Sequence, residues 1–415
     1  MSPNPAAADR TVQAASRAVF LVFVLNGFNF ASWAARIPAV RDELGLSAAQ
    51  VGVLLLIGSI GSLLALPLSG LVVQRLGASR TVLTFGAINV AGLLVAASGV
   101  AAGQVLVVGA GLVLFGVGTG VWDAAMNLEG ALVEQRLGRT VMPRYHAGFS
   151  LGTIVGAGLG ALAAAIGTSV IAHLAVVLLA SLAGVVWSIR AFLPAGYGEP
   201  ARADGDAPAP RPAGARQAFG AWLEPRTLLV GLVVLAAALT EGAANDWVAL
   251  AVVDGFDQPN SVGALTFALF VTAMTGMRLL GTGLLDRYGR IAVLRLCGAL
   301  SLVGLVIFGL VPWLPLALVG VVLWGLGAAL GFPVGMSAAS DDAARAPARV
   351  SVVSTIGYSA FLAGPPLLGL LAEHVGYRQA LLAIAVPVVI GLVVVRAAAP
   401  LAPAPARPEV AGQRA

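Results

Sequence analysis

The sequence predicts an all-α polytopic membrane protein, with twelve transmembrane helices arranged as two six-helix halves. The chain of 415 residues is 59% hydrophobic and 10% charged, with a mean hydropathy of +0.94. A soluble protein of this length could not bury so much apolar surface. The chain also contains twelve apolar runs of roughly 20 residues, the length that crosses about 30 Å of hydrocarbon. Finally, one short loop motif occurs in both halves, which indicates an internal repeat.

The predicted spans form two sets of six, separated by a stretch rich in Pro, Ala, Gly and mixed charge. They lie near 18–38, 49–73, 81–101, 105–130, 146–166, 169–193, 227–251, 261–284, 291–311, 315–339, 350–371 and 378–398. We therefore predict an N-terminal half (1–193), a flexible cytoplasmic linker (194–226), a C-terminal half (227–399) and a disordered cytoplasmic tail (400–415).

Arginine placement predicts the orientation. All 24 basic residues are arginine, and most loop arginines lie on one face of the predicted bundle. That face, here called the inner face, carries Arg75, Arg80, Arg136, Arg139, Arg144, Arg190, Arg211, Arg216, Arg226, Arg287, Arg290, Arg295, Arg345 and Arg349. The loops of the opposite, outer face carry Arg36, Arg41 and Arg378. By the positive-inside rule we predict a multi-pass protein of the bacterial inner membrane with both termini in the cytoplasm.

The repeated motif follows the second span of each half. It reads Gln74-Arg75-Leu76-Gly77 in the first half and Asp286-Arg287-Tyr288-Gly289-Arg290 in the second. An acid at a helix end can accept hydrogen bonds from arginine and from a neighbouring helix N-terminus. We therefore predict that Gln74, Arg75, Asp286, Arg287 and Arg290 form gates that close the cytoplasmic side. The neutral Gln74 predicts a weaker gate in the first half. Simple positive-inside anchoring is the alternative.

Polar side chains within the spans are candidates for solute contact, because they are costly in a membrane unless they face a cavity or a partner. The first span carries four at spacings of three and four, which places them on one helical face. The predicted solute-binding residues are Asn26, Asn29, Trp33, Arg36, Glu241, Asn245, Trp247 and Tyr358. For Arg36, extension to the outer surface is an equal alternative.

Three ionisable residues are the candidates for proton coupling: Glu241, Asp123 and His146. Glu241 lies at mid-membrane and has no arginine nearby in its own span. Arg278, in the eighth span, is either its partner or the partner of Asp286 on the same helix.

Asp123 is expected nearer the cytoplasmic edge, at the depth where His146 begins the fifth span. A carboxylate close to an imidazole can pass a proton or form a gate, and Asn127 one turn beyond Asp123 is assigned to that gate. A structural ion pair at the inner rim is the alternative.

Composition also excludes several activities. Without lysine, the chain has neither a GxxxxGK phosphate-binding loop nor a Schiff-base lysine. Its single cysteine, Cys297, and three scattered histidines do not suggest a metal site. We predict no cofactor, no metal and no nucleic-acid partner, and we interpret the net charge of +5 as a topology signal.

Several stretches resemble the MosC/YbjJ-like branch of the major facilitator superfamily. They are Ala31-Ser32-Trp33-Ala34-Ala35-Arg36, Glu241-Gly242-Ala243-Ala244-Asn245-Asp246-Trp247, Gly331-Phe332-Pro333, Ser337-Ala338-Ala339-Ser340-Asp341 and Arg349-Val350-Ser351-Val352-Val353. The resemblance covers about 17–398 and implies a twelve-span inner-membrane transporter whose halves are parallel repeats. The solutes of this branch are poorly defined; MosC is linked to an inositol-derived compound, and sugar permeases are relatives. Asp123, His146 and the Glu241 cluster match the branch, whereas Gln74 departs from the superfamily motif.

Together these observations predict a monomeric secondary transporter that works by alternating access. The expected solute is a sugar, polyol or inositol derivative, with coupling to protons or another gradient. A drug–proton antiporter is the runner-up, although the low aromatic content of 7% fits a polar solute better. A non-transporting sensor or a membrane enzyme is less favoured, since the sequence has neither an output domain nor a nucleophile–base constellation.

Overall fold

The computed structural model describes residues 5–137, 141–194, 220–342 and 345–401, and these form two bundles of helices. The helices of the N-terminal half are α1 (Pro5–Ala34), α2 (Ile37–Leu44), α3 (Ala48–Leu76), α4 (Ala78–Ala101), α5 (Val105–Leu137), α6 (Met142–Ala165) and α7 (Val170–Ser188). Those of the C-terminal half are α8 (Pro225–Gly255), α9 (Asn260–Leu310), α10 (Leu314–Ala328), α11 (Gly331–Ala339), α12 (Ala346–Val375), α13 (Tyr377–Leu381) and α14 (Ala385–Val394).

Twelve stretches of the described chain are long and apolar enough to cross a membrane, which confirms the predicted number. The first runs through α1 and α2, and α9 contains two, at 260–281 and 283–310. α10 and α11 together form one span, and α13 and α14 lie in the last. Most of the predicted linker and tail lies outside the described residues, so the predicted domain boundaries stay a prediction.

The two copies of the repeated motif end their helices in the same way. Gly77 follows α3 with φ 77° and ψ 156°, and Gly289 interrupts α9 with φ 74° and ψ 164°. A positive φ is available to glycine at little steric cost because glycine has no Cβ. The glycine of each motif therefore lets the chain turn sharply from one span into the next.

Close helix packing in the N-terminal half depends on glycine. A Cβ on Gly152 of α6 would lie 1.9 Å from the backbone oxygen of Val24. A Cβ on Gly27 of α1 would lie 2.1 Å from the backbone oxygen of Phe149. α1 and α6 thus touch backbone to backbone, as small residues in membrane helices permit.

The two halves share an apolar core near the outer face. The core of the C-terminal half includes Ala31 and Ala34 of α1, Ala35 in the turn that follows, and Ala157 and Ala161 of α6. All five alanines lie towards the outer face. Two further clusters of buried residues, one towards each face, contain only residues of the N-terminal half. The halves therefore pack together on the outer side of the bundle.

Candidate solute site between the halves

Polar contacts also join the halves on the outer face. Arg41 donates from Nη1 to Asp254 at 2.5 Å, and its guanidinium lies over the Tyr377 ring at 5.8 Å. Asn260 donates from Nδ2 to Asp42 at 3.2 Å. We call this set, together with the next contact, the outer latch: Arg41, Asp42, Ala49, Asp254, Asn260, Glu373 and Tyr377.

The remaining contact of the outer latch is at a helix N-terminus. The backbone N–H of Ala49, in the first turn of α3, donates to Glu373 of α12 at 3.3 Å. A carboxylate is stabilised there by the unpaired N–H groups and by the helix dipole. Glu373 therefore ties the second span of one half to the eleventh span of the other.

The inner face is organised differently. Asp341 accepts from Arg226 at 2.8 Å and from Arg290 at 3.0 Å, and Glu224 accepts from Arg349 at 2.6 Å. All five residues belong to the C-terminal half. Where both partners are described, no hydrogen bond or ion pair on the inner face joins the two halves.

The predicted gate residues of the two motif loops differ in exposure and in partners. Asp286 and Arg287 are exposed, and the Arg287 guanidinium lies over the ring of its neighbour Tyr288. Arg290 instead binds Asp341, an acid that we did not predict as part of the gate. Arg75 is exposed, while the side chain of Gln74 falls outside what the structure describes.

An ion pair lies in the middle of the C-terminal half. Arg278 of α9 donates from Nη2 to Glu241 of α8 at 2.8 Å and from Nε to the carbonyl oxygen of Ala329 at 3.2 Å. Of the two partners left open for Arg278, Glu241 is the one it contacts. The side chains remain 29% and 21% exposed. A partly exposed ion pair at this depth indicates a polar space beside the helices.

Residues of both halves face that space. His146 of α6 is exposed and lies within electrostatic reach of Arg278. Asp123 of α5 is half-buried, and its charge acts on the Tyr358 hydroxyl of α12. These two relations cross from one half to the other. The first links His146 to the Arg278–Glu241 ion pair and the second links Asp123 to Tyr358, and a common solute site for these four residues stays a prediction.

Asp123 and His146 do not contact each other directly. The His146 ring packs edge-on against Phe23, with centroids 5.2 Å apart. Asn127 donates to the backbone oxygen of Asp123 at 2.8 Å, which is a contact within α5. The proton relay and the gate predicted for these residues stay predictions.

The polar face predicted for the first span is buried within the N-terminal half. Asn29 donates to Asn89 of α4 at 3.0 Å, and Trp33 belongs to an apolar core with residues of α3, α4, α5 and α7. Arg36 donates to the carbonyl oxygen of Thr168 at 2.7 Å. Asn26 is also buried, with 4% of its surface exposed. In this conformation none of these four residues makes a described hydrogen bond or ion pair with the C-terminal half.

The remaining predicted residues lie further along α8. Asn245 is half-buried, whereas Trp247 is fully buried and packs against Tyr377 with ring centroids 5.7 Å apart. Trp247 therefore lies under the outer latch. Its neighbour Asp246 is half-buried and makes no hydrogen bond or ion pair with any described residue.

Tyr358 is the middle residue of an aromatic row whose other two members were missed, because the row is spread over two spans. Phe332 of α11, Tyr358 and Phe361 of α12 follow one another with centroid distances of 6.0 and 6.3 Å. Tyr358 connects this row to Asp123. The stretch Gly331-Phe332-Pro333, which begins α11 after the break that follows α10, was the available signal for Phe332.

Twelve helices in two similar halves, with ionisable groups between them, define the architecture of a secondary transporter. The family model "Major Facilitator Superfamily" matches residues 19–365, so the chain belongs to this superfamily of transporters. Membrane protein MosC of Rhizobium meliloti is 28% identical over 91% of this chain and 88% of its own. The chain lies in the MosC-like branch.

Two other relatives support this placement. An uncharacterized transporter of Sinorhizobium fredii, y4wD, is 33% identical over 90% of this chain and 97% of its own. An uncharacterized MFS-type transporter of Yersinia pestis is 32% identical over 85% and 88%. The chain is thus a multi-pass membrane protein of a transporter family.

Solved structures show the same fold. The nucleoside transporter NupG superposes with a TM-score of 0.73 at 14% identity, over 93% of this chain and 99% of that one. A bacterial homologue of the human lysosomal transporter Spinster superposes with a TM-score of 0.68 at 15% identity, over 94% and 97%. At these identities the likeness concerns the fold alone.

Proposed function

We propose that this protein moves a small polar solute across the bacterial inner membrane by alternating access, with coupling to protons. The observation that carries the proposal is the Glu241–Arg278 ion pair, which is partly exposed at mid-membrane and faces His146 of the other half. Charged groups are kept inside membranes chiefly where they bind solutes or move ions. We infer a transporter, and not an enzyme, as the sequence predicted.

The lining of the site supports a hydroxyl-rich solute such as a sugar, polyol or inositol derivative. Carboxylates and a guanidinium can accept from and donate to several hydroxyl groups at once. The aromatic row beside Tyr358 offers flat apolar faces for the C–H side of a sugar ring.

The position of the outer latch supports a conformation that opens towards the inner face. The shared apolar core and the cross-half ion pair both lie at the outer end. If the arginine-rich face is cytoplasmic, the solute site communicates with the cytoplasm in this state. Rocking of the halves would break the outer latch and expose the site to the other side.

The drug–proton antiporter remains the second candidate, and one observation favours it. Asp123 and Asp246 make no ion pair with an arginine within the described chain. Free carboxylates between the halves would suit a cationic solute, since a buried charge needs a partner of opposite sign. Transport assays must therefore include both solute classes.

The test uses the full-length protein in proteoliposomes. A thermal-shift screen of sugars, polyols, inositols, nucleosides and cationic dyes first selects the solute. Counterflow exchange and accumulation driven by a pH gradient are then compared for wild type and Glu241→Gln. If Glu241 carries the proton, the variant exchanges solute but does not accumulate it, because exchange requires no net proton movement. We expect Asp123→Asn to impair both assays together.

Two results would contradict the proposal. Accumulation by Glu241→Gln at the wild-type level would assign the ion pair to structure and move coupling to Asp123 and His146. Solute binding without movement of any tested compound would favour a sensor. Accumulation of cationic dyes but not of polyols would select the antiporter.

A further inference from the structure

A buried arginine at the outer end of the N-terminal half lacks the partners that its charge requires. Arg36 lies in the turn between α1 and α2 and is 3% exposed. Its Nη2 donates to Thr168, but Nε and Nη1 have no partner in the described chain. The exposed acid Glu43 of α2 acts on Arg36 through space without a hydrogen bond or an ion pair. A guanidinium removed from water normally has a counter-charge and satisfied N–H groups.

A second unpartnered group lies beside it. His173, in the first turn of α7, is 6% exposed, and neither ring nitrogen has a hydrogen-bond partner in the described residues. Its ring interacts electrostatically with Arg36. Whichever nitrogen carries the proton, a neutral imidazole has one N–H to donate. Two buried residues therefore offer four N–H groups without an acceptor in the described chain: one on Nε and two on Nη1 of Arg36, and one on His173.

The C-terminal half shows how a buried outer arginine is normally satisfied. Arg378 of α13 is 7% exposed and donates to the carbonyl oxygens of Phe308, Gly255 and Val311. Its guanidinium also lies 4.0 Å over the Phe256 ring. Arg36 is likewise buried at the outer end of its half, but its guanidinium donates to one carbonyl oxygen, whereas that of Arg378 donates to three. The Arg36 guanidinium therefore lacks a hydrogen-bond acceptor among the described residues for its remaining N–H groups.

We propose that a small inorganic anion of the chloride class binds between the Arg36 guanidinium and the His173 imidazole. A spherical monovalent anion accepts hydrogen bonds from N–H groups in any direction and supplies the counter-charge of the guanidinium. The surroundings favour a small ion, because α6 closes over the site at Gly160. A Cβ on Gly160 would lie 2.6 Å from the Ala35 Cβ and 3.8 Å from the His173 Cε1.

The anion site is separate from the Glu241–Arg278 ion pair that carries the proposed function, and it occupies Arg36 in place of the solute contact that the sequence predicted. It lies within the N-terminal half, and its bound ion would hold the turn between α1 and α2 against α7. α2 carries Arg41, so the ion would also stabilise the position of the helix that supplies Arg41 to the outer latch.

Halide titration of the purified full-length protein tests the proposal. The protein is prepared in sodium gluconate, and its unfolding temperature is followed by tryptophan fluorescence while chloride or bromide replaces gluconate at constant ionic strength. A ligand that binds the folded state raises this temperature in a saturable way. We expect a rise of a few degrees for wild type, and no saturable rise for Arg36→Gln. His173→Phe should weaken the apparent halide affinity by about tenfold, since one N–H donor to the anion is lost.

Arg378→Gln is the matched control, because it removes a buried arginine whose N–H groups are already satisfied. This variant should lose stability and keep the halide response. Bromide-soaked crystals of wild type should show an anomalous peak within hydrogen-bond distance of Arg36, which decides the question even if Arg36→Gln does not fold. A water molecule in place of bromide, or a halide response equal in wild type and both site variants, would overturn the proposal.

Discussion

Asp254→Asn tests whether the outer latch holds the closed outer face. The substitution removes the charge that pairs with Arg41 across the two halves and keeps the size of the side chain. Arg41 retains its contact with Asp42 at 2.7 Å, so the change mainly affects the bond between the halves. We expect the population with an open outer face to increase.

The size of the effect follows from the exposure of the two side chains. The Arg41 side chain is 12% exposed and that of Asp254 is 41% exposed. An ion pair with one half-exposed partner is screened by solvent and contributes about 1 kcal/mol at most. Since about 1.4 kcal/mol corresponds to a factor of ten, the ratio of open to closed molecules should increase by about fivefold.

Cysteine labelling measures that ratio. Val51 lies in the shared outer core and is 3% exposed, so Val51→Cys should react with a polar maleimide only when the halves separate. The native Cys297 is 2% exposed and adds little background. When opening and closing are fast relative to labelling, the rate is proportional to the open population. Asp254→Asn should therefore raise it by about fivefold.

Asp257→Asn is the matched control. Asp257 is three residues further on, in the loop that follows α8, and its carboxylate makes no hydrogen bond or ion pair with a described residue. It should leave the labelling rate unchanged. Equal acceleration by Asp254→Asn and Asp257→Asn would show that net charge of the outer face, and not the latch, controls opening. An unchanged rate in Asp254→Asn would refute the reasoning.

Two further predictions concern stability. Gly152→Leu should prevent accumulation of folded protein, because the new Cβ would collide with the Val24 backbone oxygen. Gly158→Leu is the control, because a Cβ at Gly158 has no atom within 4 Å, and this variant should accumulate to the wild-type level. Fluorescence-detected size-exclusion chromatography measures the amount of folded protein. Burial opposes ionisation of Glu224, but hydrogen bonds from Arg349 and other groups lower the pKa of its carboxyl below the ordinary value. Its ionised form therefore stabilises the fold above that ordinary pKa of about 4.3, and the contribution is lost as pH falls through the lowered pKa. Between about pH 5 and about pH 3, the unfolding temperature of wild type should fall more steeply than that of Glu224→Gln; parallel curves would contradict this.

The fold could be predicted because its signals are local. Apolar runs of sufficient length specify spans without knowledge of their neighbours. The motif glycines Gly77 and Gly289 mark equivalent turns because only a residue without a Cβ adopts their backbone conformation readily. Each of these inferences needs only a short window of sequence.

The candidate site was harder to predict because it depends on which helices face each other. The spacing of Asn29, Trp33 and Arg36 predicts one shared side of the first span, but periodicity does not say what that side packs against. The structure buries it within the N-terminal half and presents alanines, among them Ala31 and Ala34, to the other half. Contact of the polar residues with solute stays a prediction.

The sequence also did not predict which charged residues of different helices pair with each other. Arg278 had two candidate acids, one on its own helix and one on α8, and spacing alone gave no preference. The structure pairs it with Glu241 and leaves Asp286 exposed. Likewise, Arg290 binds Asp341 from a loop that follows α11. Long-range pairs of this kind depend on helix packing, which the local pattern does not contain.

Alternating access between two conformations explains why Asp286 has no partner here within the described part of the chain. A contact that holds the inner face closed must be absent when the outer face is closed, since it would otherwise stabilise both states equally and shift neither. Here the outer latch is formed, and Asp286 makes no hydrogen bond or ion pair with any described residue. The gating role of Asp286 stays a prediction, and it requires a contact that forms only in the opposite conformation. A latch of about 1 kcal/mol suits such an equilibrium, because a much stronger bond would trap one state and slow the cycle.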